Sequence, residues 1–275
     1  MRFPEGRAKA LTLSYDDGVE QDARFIDILN AHGLKCTFNL NSGCYAPEGT
    51  VYPEGRIHRR MTETQCTALY KNSGHEVAVH AYTHPFLENL PDSAVALEVL
   101  RDREKLEEQF GCIVRGMAYP YGTYSDAVVE VLRSCGRVYS RTTKSTEKFD
   151  IPTDWLRLPA TCHHKNPRLT ELSKTFAETE YTKHPKLFYL WGHTYEFEEA
   201  DNWNVIEEFA EYIGGREDIW YATNIDVYEY IEAYKRLVFS CDGRTVNNPS
   251  ARTVWLATSK QTYSIAPGET VRISN

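Results

Sequence analysis

Ala10-Leu11-Thr12-Leu13-Ser14-Tyr15-Asp16-Asp17-Gly18 sets a short uncharged run directly against two carboxylates and a turn glycine. The run reads as a buried strand, and Asp-Asp-Gly marks where the chain leaves the sheet. Behind it, Glu20 to Ala31 carries Phe25, Ile26, Ile28 and Leu29 near helical spacing, with Gly33 as the stop. A strand followed by an amphipathic helix is therefore the first unit of the chain.

The unit recurs. Thr37 to Leu40 is a second strand, and Thr62-Glu63-Thr64-Gln65 has the form of a capping box opening a helix that Gly74 closes. Glu76 to His80 is a third strand, followed by the longest helix, Ser93 to Phe110, with Gly111 behind it. Arg115 to Tyr119 is a fourth strand, and Ser125 caps a helix ending at Gly136. Arg137 to Thr142 is a fifth strand, Leu187 to Trp191 a sixth, and Asp201 to Ile213 a helix ended by Gly214-Gly215. Asp218 to Ala222 is a seventh, with Val227 to Leu237 helical after it. About seven alternations predict parallel strands in an α/β fold, and spacing alone leaves a barrel and an open sheet both standing.

After Leu237 the texture changes. Cys241-Asp242-Gly243, Asn247-Asn248-Pro249 and Pro267-Gly268 are turn signals between β-rich runs such as Thr253 to Leu256 and Thr270 to Ile273. The expected organisation is a main domain over 1–237 and a small antiparallel β appendage over 238–275. The appendage is too short for an independent core, so it reads as decoration of the barrel rather than as a carbohydrate-binding module built around Trp255.

At 275 residues the chain is long for one ordinary domain and normal for one α/β barrel. A hydrophobic share of 41% with 25% charged residues suits a globular core. The net charge of −8 and the absence of any Lys/Arg run beyond two residues argue against a nucleic-acid partner. No apolar stretch approaches the ~20 residues of a membrane span. The N-terminus shows no signal-peptide h-region, and the seven dispersed cysteines (36, 44, 66, 112, 135, 162 and 241) are never spaced C-x-x-C. A reducing, cytoplasmic setting is the expectation, which a trimmed signal peptide would overturn.

In parallel α/β folds chemistry gathers at the C-terminal ends of strands. Strand one runs into Asp16-Asp17, strand three ends at His80 with His84 four residues on, strand four runs into Pro120-Tyr121-Gly122, and strand six into Gly192-His193. Each feature alone has an ordinary explanation as a turn, a hydrogen-bonded His pair or a polar cap. Their joint placement on one rim is what those explanations leave out. One carboxylate and two imidazoles suit a divalent metal with positions left for water, and a second carboxylate beside the first is a candidate base.

Ser14-Tyr15-Asp16-Asp17-Gly18, His80-Ala81-Tyr82-Thr83-His84-Pro85, Tyr119-Pro120-Tyr121-Gly122 and Trp191-Gly192-His193 resemble, in order, the motifs of the polysaccharide deacetylases, carbohydrate esterase family 4. The wording is most similar to the subgroup that includes a domain of gellan lyase, and the resemblance covers roughly residues 8–235. It implies a distorted (β/α)7 barrel. It also implies that Asp17, His80 and His84 hold one divalent metal, most simply Zn²⁺, with Co²⁺, Ni²⁺ and Mn²⁺ fitting the same donors. Asp16 would be the general base and His193 the general acid, acting on an acetylated oligo- or polysaccharide. Tyr121, Asp154, Trp155 and Trp191 would line the substrate groove, with the Tyr121 backbone N–H facing the oxyanion.

The sequence departs from the family pattern in three places. Where the family carries an arginine paired with the base aspartate, this chain has Ala118, with Arg115 and Arg157 as candidate replacements. Pro152 replaces a small residue in the Asp150-to-Trp155 groove motif, and Trp191 stands where leucine is usual. His163-His164 reads either as a pair that lines the cleft or ligates or as a solvated loop pair, and Glu196, Glu198, Glu199 and Asp201 as a solvated charge run. The alternatives are hydrolysis of another amide, such as a cyclic imide, and a catalytically impaired saccharide-binding protein.

Overall fold

The computed structural model describes residues 1–180 and 183–274. In chain order its main elements are β1 (Lys9–Asp16), α1 (Asp22–Ala31), β2 (Cys36–Leu40), α2 (Glu63–Tyr70), β3 (Glu76–Val79), α3 (Asp92–Phe110), β4 (Gly116–Ala118) and α4 (Asp126–Ser134). These are followed by β5 (Tyr139–Ser145), β6 (Leu158–Ala160), β7 (Cys162–His163), α5 (Leu169–Glu178), β8 (Lys186–Gly192), α6 (Tyr195–Glu199), α7 (Asn204–Ile213), β9 (Ile219–Tyr221) and α8 (Asn224–Lys235).

The strands pair in the order β6-β5-β4-β3-β2-β1-β8-β7, every pairing parallel. β6 and β7 are one stretch of chain interrupted only at Thr161. Leu158 pairs with Arg141 on one side, and Cys162 with Leu190 on the other, so this stretch closes the sheet into a barrel. The expected distorted α/β barrel is therefore present, but its closing stave differs from the one read in the sequence. Leu158–His163 was not read as a strand, because Pro159 and a His pair hide it. Asp218–Ala222 supplies only β9, a short strand at the foot of β1. Helix α5 was also not anticipated. The predicted capping box does open α2, with Thr62 and Gln65 each accepting the other's backbone N–H.

Strand parity decides which side chains face the interior. Leu11, Leu13 and Tyr15 pack with Phe25, Ile26 and Leu29 in the layer between sheet and helices. Ala10 instead joins Tyr139, Leu158, Leu187, Tyr189 and Trp191, the inward set, together with Val227, Tyr230 and Ile231 from α8. Thr12, Ser14 and Asp16 share the parity of Ala10 and so point inward. Helix α8 plugs the foot of the barrel. Its Ile225 N–H donates to Glu76 Oε2 at 3.0 Å, and Asn224 bonds both Thr12 and Tyr189 at 2.8 Å.

Beyond α8 lie antiparallel strands, β10 (Val238–Phe239), β11 (Thr245–Asn247), β12 (Val254–Ala257), β13 (Thr262–Ile265) and β14 (Thr270–Arg272). Val246, Val254, Leu256, Ile265 and Ile273 pack with Ala233 and Leu237 in a small core of their own. Among the described residues no helix is long and apolar enough to cross a membrane.

Candidate active site

The C-terminal ends of the strands bring five of the expected residues together. Asp16 is the last residue of β1 and faces inward. Asp17 follows with φ 87°, which turns its carboxylate away from that of Asp16. His80 leaves β3 with its backbone N–H held by Leu40 O at 2.9 Å and by buried Asp102 at 3.0 Å. His193 continues the inward parity of Leu187, Tyr189 and Trp191. Gly192 before it has no alternative, since a Cβ there would lie 2.0 Å from His164 Nδ1. Of the eight non-glycine residues with positive φ among the described residues, Asp17, Ala81, His84 and Tyr121 all lie on this rim. Such conformations cost free energy and persist where surrounding contacts enforce them.

Asp17, His80 and His84 place one ligand atom each within 4.8 Å of one another. His80 Nδ1 sits 2.9 Å from Ala118 O, which fixes the ring proton there and leaves the Nε2 lone pair facing the site. Burial pushes the His80 pKa down to about 4 against the pull of Asp16, so the ring is neutral at physiological pH. Burial also opposes ionisation of Asp17, but the His58 hydrogen bond and the Arg60 charge outweigh it and hold the carboxyl well below its usual range. This mixed set of one carboxylate oxygen and two imidazole nitrogens fits a divalent metal of the zinc type. Arg60 donates to Asp17 Oδ1 at 2.9 Å and to its carbonyl at 2.6 Å, and His58 Nε2 lies 3.3 Å from Oδ2. Neither partner was foreseen, since Arg56 to Arg60 is a coil that enters the site only through the fold.

Asp16 is almost fully buried. Its Oδ2 contacts Arg141 Nη2, and its Oδ1 accepts from Asn39 Nδ2 at 2.8 Å. His80 Nε2 and His193 Nε2 stand 3.6 and 3.8 Å from the same Oδ2. Burial raises the Asp16 pKa, but Arg141, His80 and His193 outweigh it and leave the carboxyl ionised. The candidate replacements for the missing arginine are elsewhere. Arg115 pairs with Glu229 at 3.2 Å, and Arg157 with Asp126 and Asp154 at 2.6 and 2.8 Å.

Glu196 is no solvated charge. Its Oε2 lies 3.3 Å from His193 Nδ1, 3.1 Å from His163 Nε2 and 3.3 Å from His164 Nε2, while Lys165 Nζ holds its Oε1 at 2.8 Å. It also accepts the backbone N–H of His193 at 3.2 Å. Burial lowers the His193 pKa, but Glu196, Asp16 and Asp17 raise it further, so this imidazole holds a proton more tightly than usual. His164 is buried, with Nδ1 3.2 Å from Tyr15 Oη.

The groove residues divide. Tyr121 is half exposed and stacks on Phe86 at 3.8 Å, 4.5 Å from the His84 ring, forming an open aromatic ledge beside the site. Trp191 lies against the Arg141 guanidinium at 4.5 Å. Trp155 is instead buried against Tyr228, and Asp154 caps Leu156 and pairs with Arg157. Both precede β6 and so lie at the foot of the barrel, not with the cluster on the rim.

Residues 4–140 match the model of the polysaccharide deacetylase family. The match takes in Asp16, Asp17, His80, His84 and Tyr121 and stops just short of Arg141; His193 lies well beyond it. Chitin deacetylase of Arthroderma benhamiae is 29% identical over 128 residues, covering 44% of this chain and 30% of that protein. The chain spans between 30% and 44% of the length of this and two other curated relatives. Among solved structures, a putative polysaccharide deacetylase from Mycobacterium smegmatis superposes with TM-score 0.58 at 16% identity, covering 86% of this chain and 94% of that one. A CE4 family pseudoenzyme from Bacillus anthracis gives 0.50 at 17% identity, over 82% and 66%. These likenesses show the deacetylase-type α/β barrel fold.

Proposed function

We propose that this protein is a polysaccharide-deacetylase family hydrolase that removes acetyl groups from an acetylated oligo- or polysaccharide with the help of a divalent metal. The observation that carries the reading is the charge arrangement on one rim. Asp16, whose pKa is lowered, and His193, whose pKa is raised, stand 3.8 Å apart, beside an Asp-His-His set suited to a metal.

Asp17, His80 and His84 would hold the metal, which when bound supplies Lewis acidity for the acetyl carbonyl and acidifies water. Asp16 Oδ2 accepts the proton of the attacking water. Arg141 and Asn39 keep both of its oxygens oriented while it does so. As the tetrahedral centre collapses, the C–N or C–O bond to the sugar breaks, acetate departs, and His193 Nε2 delivers its proton to the leaving amine or hydroxyl. Glu196, 3.3 Å from Nδ1, favours the charged form of that imidazole until then. The Tyr121 backbone N–H is the candidate oxyanion donor.

The Phe86–Tyr121 ledge suits the face of a pyranose ring, and Trp191 walls the acetyl side. Zinc is the metal the donors favour. The motif wording supports placement with the gellan-lyase-associated subgroup, and seven unpaired cysteines support a reducing compartment. We take 1–237 as the catalytic unit and 238–275 as its cover. Asp16→Asn tests the division of labour between the two aspartates. Turnover falls by about 10³-fold or more with one metal per chain retained. Loss of the metal in that variant would overturn the assignment.

A further inference from the structure

Three side chains above β1 form one device. Arg141 is 1% exposed and points inward from β5 with the parity of Tyr139. A guanidinium so placed is cut off from bulk solvent, and its Nε finds no hydrogen-bond partner among the described residues. What holds it is the Asp16 carboxylate on one edge and the Trp191 ring, 4.5 Å away, on its face. Trp191 reaches it from β8, where it is the register partner of Ser14, two residues below Asp16. A planar, delocalised cation is weakly hydrated and stacks well on indole, so the tryptophan face replaces part of the lost solvation. Ala118 is the register partner of Arg141 across β4 and β5 and shares the inward parity. Its methyl leaves the interior at that height open for the guanidinium.

We propose that Arg141 is the positioning residue for Asp16, that Trp191 is its clamp, and that Ala118 and Arg141 are interchangeable places for one arginine. The inference rests on the reading of Asp16 as the base. Arg141 and Asn39 take one Asp16 oxygen each, which leaves the carboxylate a single orientation, with Oδ2 toward His80 and His193. Without the cation, a buried carboxylate has no compensating charge and no fixed plane.

The test uses Arg141→Met, which keeps bulk and removes charge, Arg141→Met with Ala118→Arg, and Trp191→Leu. Each is assayed for kcat, KM, bound metal and melting temperature. R141M should lower kcat by about 100-fold, the scale of a misplaced reacting group, with KM changed less than about threefold and one metal retained. Adding A118R should recover kcat to within about tenfold of wild type, and W191L should lower kcat by about tenfold. A folded, metal-bearing R141M with near-normal kcat would overturn the proposal. A folded double variant no better than R141M would overturn the interchange, and an unchanged W191L would overturn the clamp. Should the wild-type protein release no acetate, the assignment of the base fails by itself. The pairing is then read from the melting temperatures of D16N, R141M and the variant carrying both D16N and R141M. Losses that cancel in the double variant support the pair, and losses that add contradict it.

Discussion

Asp16 and Asp17 are chemically identical neighbours that take different partners because a strand ends between them. Asp16 keeps the inward parity of β1 and meets Arg141 and Asn39. Asp17, at φ 87°, is swung toward His84, His58 and Arg60. Asp17→Ala should therefore weaken zinc by more than the about 10–100-fold typical of losing an outer partner, measured by competition with a chromophoric chelator. Unchanged affinity would remove Asp17 from the donor set. Asp16, Asp17, His80 and His193 were legible in the sequence because they stand where an apolar run stops, and His84 because it follows His80 at four-residue spacing. Arg141 lies inside a strand, where only knowledge of the inward face singles it out. Glu196 belongs to a run of acids that looks solvated until His163, His164 and Lys165 are folded around it. The misplacement of Asp154 and Trp155 has the same origin, since an Asp-Trp after a loop does not reveal which end of the next strand it precedes.

At the scale of elements, the repeated strand–helix pattern was readable because Gly33, Gly111 and Gly136 stand at helix ends and Thr62 and Ser125 begin helices, whereas Gly74 lies three residues beyond Lys71, the C-cap of α2. The closing stave Leu158–His163 was not readable, since Pro159 and the His163-His164 pair break up its apolar run. Strand β3 has a consequence at its other end. Glu76 is partly buried at the barrel foot, accepting from Tyr139 Oη at 2.6 Å, Thr37 Oγ1 at 2.7 Å and Ile225 N. Burial pushes its pKa from 4.5 up to about 7. A carboxyl raised on folding binds its proton more tightly in the native state, so its contribution is present below pH 4.5 and lost as pH rises toward 7. The loss amounts to about 3 kcal/mol at most. Chemical denaturation of wild type and Glu76→Gln across pH 4–8 should show the difference in stability changing over this window, with the wild type losing more. Parallel curves would contradict the raised pKa.

The whole molecule puts chemistry at one end of the barrel and closure at the other. Residues before β1, helix α8 and the antiparallel strands meet at the foot. There Arg2 bridges to Trp255, and Tyr230 Oη accepts from Trp255 N at 2.9 Å and donates to Arg2 O at 2.6 Å. Removing 238–275 uncovers Leu237 and Ala233, a loss of about 2 kcal/mol by area. The melting temperature should fall by about 4–8 °C with metal stoichiometry intact. Metal loss would place the appendage in the site's support. The central claim concerns the other end. Its most direct test is acetate release from a panel of acetylated oligosaccharides by metal-stripped protein, with and without added Zn²⁺. The account predicts release from at least one member only when metal is restored. No release from any member by protein shown to hold its metal would contradict it.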